Sequence, residues 1–105
     1  MKIQINTDKN IPGHEALAQS VETILEQVLG RFSEQITRVE VHLSDENSAT
    51  KAGMPDKRCL LEVRLAGRQP SSVSELAQTV DQAVRGAAQK MVSSLESETG
   101  KLGKR

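Results

Sequence analysis

From Val39 to Leu43, and again from Cys59 to Leu65, apolar side chains fall on every second residue. In an extended chain successive side chains point to opposite faces, so each run is a strand with one apolar and one polar face. Ile3 and Ile5, set between Lys2, Gln4 and Asn6, repeat the pattern on a smaller scale. Between the first run and the second, Leu17, Val21, Ile24, Leu25, Val28, Leu29 and Phe32 recur every three or four residues. That spacing predicts a helix from His14 to Phe32, roughly 28 Å long, with one apolar stripe and with Gly30 as a terminator. A second stripe of Leu76, Val80, Val84, Ala87, Met91 and Leu95 predicts a helix from Glu75 to Leu95. Ser72 and Glu75 have the spacing of a capping box at its start.

Elements with a single apolar face bury it most economically against one partner layer. The expected fold is therefore α+β: a two-layer sandwich in the order β-α-β-β-β-α. Its four-stranded, mainly antiparallel sheet carries both helices on one face. Ser71 to Ser74 supply a short fourth strand at an edge, where the preceding Pro70 is tolerated. Asn10 to Gly13 read as a turn, Ser44 to Asp56 as a loop, and Thr99 to Arg105 as a basic flexible tail after a single domain of residues 1–98. Leu17, Val21, Ile24, Val28, Val41, Leu61, Val63, Val80, Val84 and Met91 are the expected core. The second and third strands are expected to pair with Glu40 opposite Arg64 and Val41 opposite Val63, because like charges directly opposite each other are unfavourable. The other sheet face is left to solvent, carrying Lys2, Gln4, Arg38, Glu40, His42, Arg58, Leu60, Glu62 and Arg64.

Composition narrows the function. Of the 105 residues, Lys and Arg number 14 and Asp and Glu 14, so the net charge of zero argues against tight nonspecific binding to nucleic acid. Phe32 is the one aromatic residue, which excludes recognition by several stacked bases. The charged and apolar fractions are those of a soluble domain, without a membrane span or a secretory leader. Cys59 stands alone, so no intrachain disulfide forms and a reducing, cytoplasmic setting is expected.

The residues give no sign of an enzyme. His42, Ser44 and Asp45 have the residue types of a hydrolytic triad, yet neighbours along one strand do not form the nucleophile–base–orienter geometry. Two histidines and one cysteine do not assemble a zinc site, and no cofactor or small-molecule substrate is implied. Cys59, on an apolar face, reads as a small buried hydrophobe. The densest basic group is Arg58, Arg64 and Arg68 with Lys57 nearby. These side chains either contact phosphate from the sheet or pair across strands with Glu40 and Glu62. Lys101, Lys104 and Arg105 form a second, looser basic group.

The order and spacing of several stretches resemble a known family. They are Ile3 to Asp8, Leu29 to Phe32, Ile36 to Asn47, Asp56 to Cys59, Glu62 to Pro70, and Asp81 to Val84. Together they are similar to the ribosome hibernation-promoting factors and ribosome-associated inhibitors, also called sigma modulation proteins, and most of all to the short single-domain members. The resemblance implies a cytoplasmic bacterial protein that binds ribosomal RNA of the small ribosomal subunit near the decoding channel and silences translation under stress. Members that bind strongly carry Lys and Arg on both outer helix faces. This chain has Glu15, Glu22 and Glu26 there on the first helix and Asp81 on the second, and acidic stripes repel phosphate. RNA contact is therefore expected through Arg58, Arg64 and Arg68 on the sheet side, with help from Arg31 and Lys90. The alternative is an interaction or self-associating module of the same fold that does not touch the ribosome.

Overall fold

The computed structural model describes residues 1–8, 11, 14–45 and 56–103, with side chains described for all of these except 14 and 98–103. Strand β1 spans Lys2–Thr7, helix α1 His14–Leu29, β2 Ile36–Asp45, β3 Lys57–Leu65, β4 Ser71–Ala77 and helix α2 Val80–Gly103. A single 3₁₀ turn over Gly30–Phe32 follows α1. Gly30 thus ends the α-helix while the chain tightens for one more turn and buries Phe32.

The sheet order is β1-β2-β3-β4. β1 runs parallel to β2 with α1 as the crossover, and the other two pairings are antiparallel. Helix α2 packs on β3, β4 and α1. One core gathers Val21, Ile24, Leu25 and Leu29 of α1, Val39, Val41 and Leu43 of β2, Cys59, Leu61, Val63 and Leu65 of β3, and Ala83, Val84, Ala87, Ala88, Met91 and Leu95 of α2. Seven of the ten expected core residues are buried, while Leu17, Val28 and Val80 are partly buried at its margin. Ile11, 2% exposed, belongs to the interior although the sequence places it only in a turn.

The register between β2 and β3 corrects the expectation. Glu40 faces Glu62 and Arg38 faces Arg64, while Val41 faces Leu61 and Val39 faces Val63. The cause lies at the start of β2, where Ile36 pairs with Leu65 and Arg38 with Arg64, so that Thr37 is an extra residue. This bulge reverses the alternation and lets Ile36 enter the core alongside Val39, Val41 and Leu43. The observed register also sets Leu43 against Cys59 and Asp45 against Lys57, whose charges meet at 3.4 Å. In the expected register Asp45 would face Cys59. Both registers set apolar residues against apolar ones, so the bulge at Thr37 and the Asp45–Lys57 pair, in place of Asp45 opposite Cys59, offset the like-charge cost on the wet face, about 0.2–1 kcal/mol per pair.

The start of α2 is the second correction. Glu75 and Leu76 belong to β4, and Leu76 is 50% exposed on the open sheet face instead of buried. Ser72 and Glu75 cap nothing, since both are strand residues. The true cap is Thr79, whose hydroxyl oxygen accepts the backbone N–H of Gln82 at 3.1 Å. The Ser-x-x-Glu spacing recurs as Thr79-x-x-Gln82, one β-strand further on. At the other end α2 continues to Gly103, through most of the stretch expected as a tail. Ser44 and Asp45 are strand, not loop, and residues 46–55, 104 and 105 lie outside the described residues.

Candidate nucleic-acid interface

The helix layer is a poor surface for phosphate. On α1, Glu15, Gln19, Glu22, Glu26 and Gln27 are exposed, and the last turn holds no basic residue. On α2, Asp81, Gln82, Arg85, Gln89 and Lys90 are exposed. A polar groove of about 550 Å³ between the helices is lined by Gln19, Thr23, Gln27, Asp81 and Arg85 among others.

Two of the expected contact residues lie in this layer and are already engaged. Arg31 forms an ion pair with Glu96 of α2 and stacks on Phe32, 4.9 Å from the ring centroid. Lys90 donates to Glu75 Oε1 at 2.7 Å and to the Ser74 carbonyl at 2.9 Å, tying α2 to β4. Gly86, one turn before Lys90, makes that strut possible. A Cβ at position 86 would lie 2.8 Å from Glu75 Cγ.

The remaining three are on the sheet side but not in one patch. Arg58 and Arg64 share the open face of β3, six residues apart, hence about 20 Å at the usual rise per strand residue. Arg68 joins the Arg64 end. It closes the β3–β4 turn, its N–H donating to the Leu65 carbonyl at 3.0 Å, with Gly67 at φ 74°. A positive φ of that kind favours glycine at the third turn position. Arg58 stands at the far end, opposite Ser44 and Leu76.

Two further cations of the open face, outside the expected contact residues, complete the Arg64 end. Lys2 is the partner of Arg38 across β1 and β2, and Arg38 is the partner of Arg64 across β2 and β3. The guanidinium of Arg38 is held by Glu40 and by Gln4 Oε1, the latter at 2.9 Å. Glu40 also lies 3.3 Å from His42 Nε2. Arg38, Glu40, Glu62, Arg64 and Pro70 line a shallow depression of about 160 Å³. Alternation puts Lys2 and Arg38 on this face, but only the strand registers, parallel between β1 and β2 and antiparallel between β2 and β3, set them beside Arg64.

Cys59 is wholly buried beneath the sheet. Burial, with Glu75 nearby as the lesser cause, pushes its thiol up to about 12, so it remains protonated and inert. Lys57 is held protonated above the ordinary lysine value, chiefly by its hydrogen bond to Asp56. No helix among the described residues is long and apolar enough to cross a membrane.

The mixed four-stranded sheet with two helices on one face is shared with known proteins. A model of the family described as Sigma 54 modulation protein / S30EA ribosomal protein matches residues 3–103. The chain belongs to that family. Among solved structures, the S30EA-family chain is similar in fold to the N-terminal domain of Protein Y from Thermus thermophilus. Their TM-score is 0.71 at 22% identity, over 92% of this chain and 98% of that one. It is also similar to a ribosomal subunit interface protein from Coxiella burnetii, with TM-score 0.74 at 16% identity, over 95% of this chain and 99% of that one. A search of curated proteins found no match. The protein is thus a ribosome-associated, non-enzymatic factor of the S30EA type.

Proposed function

We propose that the protein binds the small ribosomal subunit in the cytoplasm and silences translation there, as a hibernation factor does. The observation that carries this reading is the family match across residues 3–103, nearly the whole chain. Its structural neighbours, a Protein Y domain and a ribosomal subunit interface protein, support the same reading. The geometry supports contact through the sheet side. Phosphate is met by the sheet side, at Arg64 and Arg68 and at Arg58 beyond them. The helix layer contributes less, because the exposed carboxylates of Glu22, Glu26 and Asp81 repel phosphate there.

One observation favours a second reading, an interaction module of the same fold that does not touch the ribosome. It is the acidity of the outer helix faces, where Glu15, Glu22, Glu26 and Asp81 are exposed. Sedimentation of the protein with isolated small subunits, paired with cell-free translation, separates the two. The ribosome reading expects co-sedimentation at low salt and a dose-dependent loss of translation. A protein that stays in the supernatant at low salt and leaves translation untouched contradicts it.

A further inference from the structure

We infer that Lys2, Arg38 and Arg64 form a cation row that takes an RNA phosphate backbone running across the strands of the open sheet face, an inference that rests on the ribosome reading above. The register puts the three residues side by side on three adjacent strands. Adjacent strands are about 4.8 Å apart, so the row spans roughly 10 Å at the backbone. Arg68 in the turn after β3 extends it at the same end of the sheet.

A row of like charges is costly to the free protein. Cations directly opposite one another destabilise a sheet. The side chains of Lys2 and Arg64 form no ion pair or hydrogen bond with another described residue, the Thr37 bond to Arg64 being to its backbone carbonyl. Arg38 alone is neutralised, by Glu40 of the next row. A polyanion laid along the row relieves this repulsion and releases its own condensed counterions. The hydrogen bond from Arg38 to Gln4, together with its pairing to Glu40, fixes the guanidinium in advance, which lowers the ordering cost of binding.

The next row inward is Gln4, Glu40, Glu62 and Ser72, two residues along each strand and so about 7 Å away. That is within a Debye length at physiological salt, so the two carboxylates repel a backbone displaced toward the centre of the sheet. Glu40 and Glu62 also line the depression beside Arg38 and Arg64. The surface therefore has a cationic lane with an acidic border, which locates a phosphate chain along one end of the sheet. With no aromatic residue on this face, the lane reads backbone charge and not base identity.

The test is the salt dependence of small-subunit binding by the wild type and by the double variant Lys2→Gln/Arg38→Gln. Loss of two phosphate contacts lowers the slope of log affinity against log salt by about 1.4–1.8, and at 0.1 M salt lowers affinity on the order of 30-fold. Glu62→Gln, which weakens the acidic border without touching the contacts that hold Arg38, strengthens binding, and unchanged binding by it would remove the border. Thermal melting of each variant checks that the fold is retained; both altered cations are at the surface. If the wild type binds and the double variant binds equally well with the same slope, the lane is overturned while the ribosome reading stands, and a protein surface becomes the point of contact. If the wild type does not bind at low salt, both are overturned.

Discussion

The hydroxyl of Thr37 donates a hydrogen bond to the backbone carbonyl of Arg64, 3.2 Å away. This bond ties the β2 bulge to the strand opposite, at the point where the bulge fixes which side chains are buried and which charges align. Thr37→Val keeps the shape and removes the donor. The expected loss is about 0.5–1.5 kcal/mol, the net worth of one such bond. Urea denaturation of the two proteins measures it, and an unchanged midpoint would mean the bulge is held by packing alone.

Leu61 sits at the centre of the core, 0% exposed, opposite Val41 on one side and Val73 on the other. Leu61→Ala is expected to cost roughly 2–5 kcal/mol. In a domain this small that approaches the whole stability. A melting temperature equal to that of the wild type would remove Leu61 from the core.

Gly86 yields an unusual sign. A glycine inside a helix ordinarily costs about 1 kcal/mol against alanine, so Gly86→Ala alone would be expected to stabilise. Here the new Cβ meets Glu75 Cγ at 2.8 Å and must displace the carboxylate that holds Lys90. Gly86→Ala should therefore destabilise in the wild type and stabilise by about 1 kcal/mol in a Glu75→Ala background. Stability measured for the two single variants and the double variant decides; stabilisation by Gly86→Ala in both backgrounds would contradict the strut.

The raised thiol value of Cys59 has a pH signature. The folded state holds the proton to about pH 12 while the unfolded chain releases it near 9. The unfolded state is therefore favoured progressively as pH rises above 9, and below that value Cys59 adds no pH dependence. Cys59→Ala should flatten the alkaline fall in melting temperature, and iodoacetamide should label Cys59 only after denaturation. Rapid labelling of the native protein would place the thiol at the surface.

Much of this fold was legible in the sequence because alternation and helical spacing report directly on one-sided burial. The strands from Val39 to Leu43 and Cys59 to Leu65 and the stripe from Leu17 to Leu29 needed nothing else. Glu75 and Leu76 fit the α2 stripe as well as they fit a strand, so spacing alone does not place the helix start at Thr79. The candidate site was half legible. Arg64 and Arg68 were visible as a local basic cluster, but Lys2 and Arg38 reach them only through pairings between distant strands. Arg31 and Lys90 look available in sequence, and only packing of α2 shows them engaged with Glu96 and Glu75.

On the proposed reading the sheet side carries most of the contact with the ribosome and the helix layer little of it. Small-subunit co-sedimentation at low and at physiological salt, comparing Arg58→Glu/Arg64→Glu/Arg68→Glu with Arg85→Glu/Gln89→Glu on the outer face of α2, tests it most directly. The account predicts that the sheet variant stays in the supernatant at both salts while the helix variant sediments as the wild type does. Loss of binding by the helix variant with retention by the sheet variant would contradict it.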